Sequence, residues 1–298
     1  MLKVIRAGMM TAVQDAGRDG YRNLGISQSG VLDAPAMKMA NLLVGNAQDA
    51  AVLEITLGQF CAEITRPGWL ALTGADCHAR LDDKPLWTGW RFAVRPGQQV
   101  KLALPKHGMR SYLAVSGGFD VPPVLQSRST DIKAAIGCRS VSRGGCRRGK
   151  WALSNCCSAT GCGCCRGRST RNSAPRRAKN SGAWPGSSVR RVTAWVIGCR
   201  AARFCAPPTG NCFRTAYCPG WCRCPPGGQP IVLMADAQTT GGYPRIACVI
   251  EADLYHLAQI RLGEPIHFVQ CSLDEAHLAW QQQSRYLEQL AWRLAQDD

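Results

Sequence analysis

The stretch that decides the fold is residues 231–250, IVLMADAQTTGGYPRIACVI. An apolar run lies at each end, and the polar centre from Asp236 to Pro244 holds two glycines and a proline. This pattern predicts two strands joined by a tight connection. Successive backbone N–H groups in such a turn can cradle a carboxylate or a phosphate, whereas a structural hairpin would use the same polar side chains to cap its own backbone. The spacing alone favours the structural hairpin.

The first 137 residues predict mostly strands, with one helix. Residues 2–6 alternate as a strand does, and a polar loop with two glycines follows. Asp33 is a suitable N-cap because its carboxylate can accept the N–H groups of a first helical turn, and Pro35 fits that turn. Apolar residues then recur at helical spacing, which predicts a helix over 33–44. Short apolar runs separated by turn residues next indicate a barrel or sandwich; the clearest are Val52–Thr56, Trp69–Thr73, Gln99–Leu104 and Ser111–Val115.

Residues 138–228 differ in composition from the rest of the chain. They hold 17 Lys and Arg, no Asp or Glu, and 13 of the 17 Cys. Subtracting these 17 from the 36 basic side chains leaves 19, against 20 acidic ones, so the formal charge of +16 belongs to this segment alone. Only eight of its residues are Leu, Ile, Val or Phe, a composition typical of disorder.

Three interpretations of this segment compete. A metal site would need paired CxxC motifs at regular separation, and its clusters, Cys162 to Cys165 and Cys218 to Cys224, do not provide them. A nucleic-acid surface would use Arg176, Arg177, Arg190 and Arg191, which show no periodicity and so define no face. We favour a third hypothesis, a shifted reading frame restored near Gly228. A GC-rich coding region read out of frame yields Cys, Arg, Gly, Ser, Pro and Trp, and few acids.

Beyond Gln229 the sequence again has the pattern of a folded protein. Residues 251–260 predict a short helix, and residues 266–271 predict a strand. Ser272 and Glu275 form a capping-box pattern, in which each side chain satisfies the other's backbone donor. It opens a C-terminal helix with an apolar stripe; the stripe is Ala276, Trp280, Leu287, Leu290, Ala291 and Leu294.

Residues 1–137 and 229–298 resemble the biotin-dependent carboxyltransferase-like family. That family includes the C subunit of bacterial 5-oxoprolinase, KipI-antagonist (KipA-like) proteins, allophanate hydrolase subunit 2 and part of urea carboxylase. The motifs that carry the resemblance are Gln14–Tyr21, Ser29–Asp33, Ala40–Asn46, Leu53–Thr56, Ser127–Asp131 and, most specifically, Gln229–Pro244. The resemblance is absent from 138–228.

The resemblance implies a mainly β (α+β) fold of two cyclophilin-like β-barrel domains with a few helices. Residues 1–137 would form the N-terminal domain, and 229–298 would be the remnant of the C-terminal one. The second barrel would be incomplete, because the anomalous and disordered segment 138–228 replaces part of it. We therefore expect this chain to fold poorly beyond about residue 137 and to lack activity.

The resemblance also implies one component of an ATP-dependent 5-oxoprolinase, which opens 5-oxo-L-proline to L-glutamate together with a KipI-like B subunit and an A subunit. ATP, with Mg, would bind at the level of the complex. The chain has no Walker-type GKS/T loop and no Ser-His-Asp arrangement, and its five His show no ligand spacing. We assign no catalytic residue and no metal.

Substrate binding is expected at two loops, which would be the lips of a cleft. Arg18 is suited to clamp a carboxylate or phosphate, or else to form a salt bridge. Turn and cap roles suit Asp15 and Asp236 better than orienting a base or binding a metal. Tyr243 can bond to substrate or pack before Pro244, and Asn41 and Glu54 are expected to support the first loop. The full candidate set is Gln14, Asp15, Arg18, Tyr21, Ser29, Asp236, Gln238, Thr239, Thr240, Gly241, Gly242 and Tyr243.

Other functions remain open at this point. A regulatory protein antagonising a KipI-type kinase inhibitor would share the fold and the partner but not the chemistry. An allophanate- or urea-processing component would need a neighbouring amidase or biotin carboxylase. Nucleic-acid binding rests only on residues 138–228, so we expect none. Met1–Ala7 lacks a secretory h-region and no apolar run reaches the roughly 18–20 residues of a membrane span, so we expect a cytoplasmic protein with no membrane partner.

Overall fold

A computed structural model of the 298-residue chain describes residues 1–131, 162–165, 187–192, 196–200, 215–261 and 263–296. Contacts divide the chain into two compact units. Of the described residues, the first unit holds 1–19, 29–131 and 285–296. The second unit holds residues 20–28 and those from 162 to 284.

The described part of the first unit consists of ten strands and one helix, followed by the end of the C-terminal helix. The helix, α1, is Ala34–Leu43. The strands are β1 Leu2–Ala7, β2 Met10–Gln14, β3 Val52–Thr56, β4 Phe60–Ile64, β5 Gly68–Gly74, β6 Arg80–Leu81, β7 Lys84–Pro85, β8 Trp90–Val94, β9 Gln99–Leu102 and β10 Arg110–Val115. The strands expected at 2–6, 52–56, 69–73, 99–104 and 111–115 and the helix expected at 33–44 are thus confirmed, with ends that differ by at most two residues.

The strands of the first unit form two antiparallel sheets. One has the order β1-β4-β9-β6-β7 and the other β2-β3-β10-β5-β8. In the second sheet β3 lies between β2 and β10, so Glu54 stands opposite both Ala12 and Tyr112. This register places a buried acid at the centre of the sheet.

The second sheet of this unit is buried on both faces. Side chains that alternate along β3, β5 and β10 point to opposite sides. Leu53, Leu72 and Leu113 join one core with residues of the other sheet. Val52, Ala71 and Ala114 join another core with α1, whose Met37 is 1% exposed. Burying a Met side chain stabilises a fold by about 1.5–3 kcal/mol, so this contact fixes α1 to the sheet.

The start of α1 follows from its sequence. Asp33 accepts a hydrogen bond from the backbone N–H of Ala36 at 2.9 Å, and Pro35 occupies the first turn. At the other end Val44 and Gly45 donate to carbonyls of the last turn, and Gly45 has a φ of +72°. The predicted cap and the predicted stop are both present.

The second unit contains a large sheet with one additional two-stranded ribbon. The sheet order is β19-β12-β13-β16-β15-β18-β11-β20, and the ribbon pairs β14 with β17. The strands are β11 Cys162–Cys165, β12 Ser187–Val192, β13 Val196–Arg200, β14 Thr215–Ala216, β15 Trp221–Arg223, β16 Ile231–Leu233, β17 Thr240–Gly241, β18 Arg245–Val249, β19 Pro265–Ile266 and β20 Phe268–Cys271. Among the described pairings only β11 with β20 is parallel.

The helices of the second half begin close to where the sequence predicts them. A 3₁₀ turn at Glu251–Asp253 leads into α2, Leu254–Ala258. Another 3₁₀ turn, Arg22–Leu24, lies in the N-terminal part of this unit. The C-terminal helix α3 spans Leu273–Leu294. Its capping box is confirmed: the backbone N–H of Ser272 donates to Glu275 at 2.5 Å, and that of Glu275 donates to Ser272 Oγ at 3.2 Å.

The mainly β prediction is confirmed, with few helices and mostly antiparallel sheets. The described pairings give open sheet orders, so closure of either sheet system into a barrel stays a prediction. Much of segment 138–228, Arg176 and Arg177 included, lies outside the described residues. In the part of the chain that the structure describes, no helix is long and apolar enough to cross a membrane.

Candidate functional site

The end of β2 is held to a distant loop by one carboxylate. Asp15 Oδ1 accepts hydrogen bonds from Ser127 Oγ and Ser129 Oγ, both at 2.6 Å. It also accepts the backbone N–H of Gly17 at 2.8 Å, while Oδ2 accepts the backbone N–H of Arg128. We call Asp15, Ser127, Arg128 and Ser129 the Asp15 cluster. The four donors use the hydrogen-bonding capacity of this carboxylate, so Asp15 organises the loop. This agrees with the turn role that the sequence favours for it.

Gln14 and Arg18 bond to the same loop, at successive carbonyl groups. Gln14 Nε2 donates to the carbonyl oxygen of Thr130 at 3.1 Å. Arg18 Nη2 donates to the carbonyl oxygen of Ser129. These two side chains, four residues apart in sequence, are therefore held beside one short stretch of backbone.

Arg18 is the most unusual residue of this region. Its side chain is 1% exposed, and its Nε and Nη1 atoms have no hydrogen-bond partner in the part of the chain that the structure describes. Nε carries one N–H group and Nη1 carries two, so three donors of a permanent cation are buried without an acceptor. Desolvating an arginine in this way is costly unless an anion completes the site.

Two further buried polar atoms near Arg18 have no partner among the described residues. Gln14 Oε1 is buried and accepts no hydrogen bond, although the Nε2 of the same amide is used. Ser29 is 3% exposed, and its hydroxyl has no partner. Its backbone has a φ of +55°, a left-handed conformation that costs a residue other than glycine about 1–2 kcal/mol. Unsatisfied atoms and backbone strain of this kind concentrate at functional sites.

The segment that carries Ser29 runs directly beside the Arg18 loop. The backbone N–H of Val31 donates to the carbonyl oxygen of Asp15 at 2.9 Å. Gly30 has a φ of +95°, and a Cβ placed on it would stand 3.0 Å from atoms of Ala16 and Gly17. The close approach explains why glycine occupies this position.

A buried polar network supports this segment from the sheet. Glu54 accepts the backbone N–H of Leu32 at 3.0 Å and the hydroxyl of Tyr112 at 2.9 Å, and its other oxygen lies 3.5 Å from Arg110 Nε. Tyr112 in turn accepts the backbone N–H of Asp33 at 3.0 Å. Burial, then the negative charges of Glu54 and Asp33, raise the pKa of Tyr112 well above its ordinary value. The expected supporting role of Glu54 is confirmed.

Asn41 supports the end of α1 rather than the first loop, which corrects the expectation for this residue. Its side-chain amide donates to the carbonyl oxygens of Gln48 at 3.3 Å and Ala50 at 2.7 Å. Asn46 donates to Asn41 Oδ1 at 3.3 Å and to the carbonyl oxygen of Val115 at 2.9 Å. These bonds connect the end of α1 to the sheet.

The second candidate loop, residues 236–243, lies in the other unit. Asp236 and Thr239 are buried, whereas Gln238, Thr240 and Tyr243 are exposed. The hairpin that the spacing favoured is wrong, because β15 lies between β16 and β18 in the sheet. Within the connection, Thr240–Gly241 forms the short strand β17 paired with β14. Exposed side chains on an ordered backbone leave this loop accessible to a ligand.

Glycine at position 241 has a steric cause. A Cβ placed there would overlap the phenol group of Tyr217. Arg223 then lies over the Tyr217 ring, 4.1 Å from its centroid, and donates from Nη1 to the carbonyl oxygen of Tyr243. Packing, rather than ligand access, thus explains this glycine. Tyr217 and Arg223 both belong to the anomalous segment.

The structure brings together only part of the predicted set. Gln14, Asp15, Arg18 and Ser29 meet within the first unit. Tyr21 lies in the second unit, as the residue before the 3₁₀ turn, and its carbonyl oxygen accepts the backbone N–H of Leu24 at 3.1 Å. Residues 236–243 also belong to the second unit. Among the described residues, no group of His, Cys, Asp or Glu could hold a metal ion.

Sequence reasoning missed the residues that organise this site. Ser127, Ser129 and Thr130 belong to one of the motifs that carry the resemblance, but the candidate set omitted them. The structure shows them bonded to Asp15 and Gln14. The sequence signal for these residues is a run of small hydroxyl side chains that ends in an acid. That signal does not reveal which residues they bond to.

A family model described as the carboxyltransferase domain, subdomain A and B, matches residues 24–146 and 193–270. The match includes residues 138–146 and 193–228, so the expected absence of resemblance from 138–228 is wrong for those residues. The chain is 48% identical to the C subunit of 5-oxoprolinase from Escherichia coli (strain K12), in an alignment that covers 99% of each chain. It is 36% identical to the C subunit of 5-oxoprolinase from Haemophilus influenzae, covering 97% of each.

Solved structures show the same architecture. The crystal structure of TTHA0988 matches with a TM-score of 0.74 and 30% identity over 90% of this chain, which spans 55% of that protein. The urea amidolyase of K. lactis matches with a TM-score of 0.80 over 97% of this chain and 20% of that protein. At 21% identity this second likeness shows the fold alone.

Proposed function

This chain belongs to the carboxyltransferase domain, subdomain A and B, family, and we propose that it is one component of an ATP-dependent 5-oxoprolinase. The observation that carries the proposal is the 48% identity to the C subunit of a 5-oxoprolinase over 99% of both chains. Similarity of this extent covers both candidate loops, so it bears on the site as well as on the fold.

The reaction that this enzyme class performs explains what the chain must supply. A lactam is a poor electrophile, and phosphorylation of its oxygen by ATP creates a leaving group and drives ring opening. The substrate carries a carboxylate, and negative charge develops at the reacting carbonyl. Fixed donors in a site without water stabilise such charge most strongly. Buried N–H and O–H donors at Arg18 and Ser29 are groups of this kind.

We assign ATP and its Mg²⁺ to the assembled complex rather than to this chain, because the sequence has no Walker-type loop. The partners we propose are a KipI-like B subunit and an A subunit of 5-oxoprolinase. Both relatives are named as C subunits, which supports an assembly with other components. We propose that the exposed Gln238, Thr240 and Tyr243 also contact a ligand, within the second unit.

The test is reconstitution with the partner subunits, both of this chain and of a frame-corrected chain. We expect the frame-corrected complex to release glutamate from 5-oxo-L-proline, and only when ATP and Mg²⁺ are present, and the complex with this chain to be inactive. A complex that assembles and leaves 5-oxo-L-proline unchanged, with a frame-corrected chain included, would contradict the proposal. Binding of a KipI-type partner without turnover would then favour a regulatory role.

We also propose that residues 138–228 arise from a shifted reading frame and that this chain is poorly active for that reason. Support comes from the composition: 17 basic and no acidic side chains in 91 residues. Resequencing codons 130–235 and translating all three frames tests it directly. An alternative frame with acids and a Leu/Val pattern would support the hypothesis. If no frame gives one, the segment is genuine protein and the hypothesis is wrong.

A further inference from the structure

The buried guanidinium of Arg18 has no counter-ion in the part of the chain that the structure describes. Its single hydrogen bond there is to the carbonyl oxygen of Ser129. The nearest carboxylate along the chain that is also buried is that of Asp15, and all four of its hydrogen bonds come from other donors. An internal salt bridge therefore does not explain the burial of this charge.

Burying this charge lowers the stability of the fold more than burying a neutral side chain would. An arginine buried with three unused N–H donors is a feature that a fold retains for a ligand rather than for itself. The same holds on a smaller scale for the hydroxyl of Ser29, which is buried, unpartnered and on a strained backbone. Both lie on segments joined by the hydrogen bond between Val31 and Asp15.

The unsatisfied atoms also define what the ligand must present. Arg18 Nε and Nη1 require an anion. Gln14 Oε1 is an acceptor and requires an N–H group; its assignment follows from the donation of Nε2 to Thr130. The hydroxyl of Ser29 can donate to a carbonyl oxygen. Together these groups match a small acid that also carries an amide.

We infer that Arg18, Gln14 and Ser29 form a binding site for the carboxylate and the amide of a small lactam acid. Arg18 takes the carboxylate, Gln14 Oε1 takes the amide N–H, and Ser29 Oγ donates to the amide oxygen. The identification of this ligand as 5-oxo-L-proline rests on the proposed function. A phosphate group shares the anion chemistry and is the alternative that the test must separate.

The first experiment is calorimetric titration of the full chain with four probes. 5-Oxo-L-proline carries both the carboxylate and the lactam, whereas 2-pyrrolidinone carries the lactam alone. Inorganic phosphate and ATP represent the other anion source. We expect 5-oxo-L-proline to bind and 2-pyrrolidinone to bind at least roughly tenfold more weakly, since it lacks the charge-assisted bonds to Arg18. If phosphate or ATP binds and 5-oxo-L-proline does not, the carboxylate assignment is overturned.

The second experiment uses variants with a matched control. R18Q should weaken 5-oxo-L-proline binding roughly 10- to 100-fold, the effect of losing charge-assisted hydrogen bonds. S29A should weaken it several-fold. R95Q is the control, because Arg95 is exposed and its backbone N–H and carbonyl oxygen bond to Gln98, outside the site. It removes the same charge without touching the site and should bind as the parent does.

Thermal unfolding separates a ligand site from a structural role. Because R18Q removes an uncompensated buried charge, its Tm should equal or exceed that of the parent. A lower Tm together with unchanged affinity would show that Arg18 serves the fold, and would overturn the inference. If resequencing reveals a shifted frame, the same variants are made in the frame-corrected chain.

The site and the proposed function can fail separately. If the reconstituted complex releases glutamate and R18Q leaves kcat and KM unchanged, the function stands and the site is wrong. If binding of 5-oxo-L-proline depends on Arg18 but no glutamate is released, the site stands and the enzymatic role is wrong.

Discussion

Ser129 and Asp15 are hydrogen-bonded to each other in both directions. The Oγ of Ser129 donates to Asp15 Oδ1 at 2.6 Å, and the same Oγ accepts the backbone N–H of Asp15 at 2.9 Å. Both residues are buried. One hydroxyl group thus satisfies a buried charge and a buried backbone donor, 114 residues away in sequence.

Replacing Ser129 with alanine should therefore be costly for so small a change. It leaves the N–H of Asp15 without an acceptor and removes one of the four donors to its carboxylate. We expect S129A to lower the free energy of unfolding by about 1–3 kcal/mol, the cost of leaving buried polar groups unsatisfied. Urea denaturation followed by circular dichroism measures it.

Thr65→Ala is the control for this change. Thr65 is exposed, and its backbone N–H, which the substitution keeps, donates to the carbonyl oxygen of Met1. The loss of a hydroxyl there should change the free energy of unfolding by no more than about 0.5 kcal/mol. Equal losses of unfolding free energy in the two variants would show that the hydrogen bonds of Ser129 contribute no more to stability than an exposed hydroxyl group does.

Gly30 and Gly89 allow backbone strain to be separated from crowding. Both have positive φ, +95° and +81°, but only Gly30 has neighbours where a Cβ would go. Gly89→Ala should cost about 1–2 kcal/mol from strain alone. Gly30→Ala should cost at least about 1 kcal/mol more, because Ala16 must shift. Thermal unfolding of the two variants gives the comparison, and a smaller loss for Gly30→Ala would contradict it.

The N-cap of α1 gives a third prediction. Asp33→Ala removes the acceptor for the N–H of Ala36 and should lower the free energy of unfolding by about 0.5–2 kcal/mol. Asp33→Asn keeps a side-chain oxygen and should recover most of that loss. Chemical denaturation of both variants tests it; an asparagine as damaging as alanine would show that the charge, not the cap, matters.

We expect the buried phenol of Tyr112 to make the stability of the fold decrease at high pH. Its folded pKa is raised by burial and by the carboxylates around it. Above about pH 10 the unfolded chain releases this proton while the folded one keeps it, so stability falls as the pH rises. The slope for one proton is about 1.4 kcal/mol per pH unit.

Tyr112→Phe is the matching variant. It should be less stable at neutral pH, because Glu54 and the N–H of Asp33 lose a partner. Its free energy of unfolding should nevertheless fall less steeply above about pH 10 than that of the parent. Denaturation series on either side of that pH measure the two slopes, and equal slopes would contradict the role of Tyr112.

The sequence was sufficient where neighbouring residues determine the structure. Asp33, Pro35 and the apolar period predicted α1 because capping and helix packing are local, and Ser272 with Glu275 predicted the start of α3 for the same reason. The two-residue strands β6 and β7 were not predicted, because strands that short have no periodicity of their own.

The candidate site was predicted less completely. Residues 14, 15, 18 and 29 were recognised by resemblance and by type. That Arg18 would be buried with unused donors, and that Asp15 would be occupied by Ser127 and Ser129, depends on contacts across more than 110 residues. Such contacts leave no pattern in a single sequence. Trp280 also differs from expectation, because it is 43% exposed rather than part of the apolar stripe.

The bonds from residues 14, 15 and 18 to residues 127–130 have a consequence during synthesis. The end of β2 leaves the ribosome early. Residues 127–130, whose carbonyl and hydroxyl groups hold it in place, are translated more than a hundred residues later. Pairings of such sequence separation close late, because the intervening chain must first be ordered. The Arg18 loop is therefore among the last parts of its unit to mature, and a nascent chain arrested before codon 127 would present it unformed.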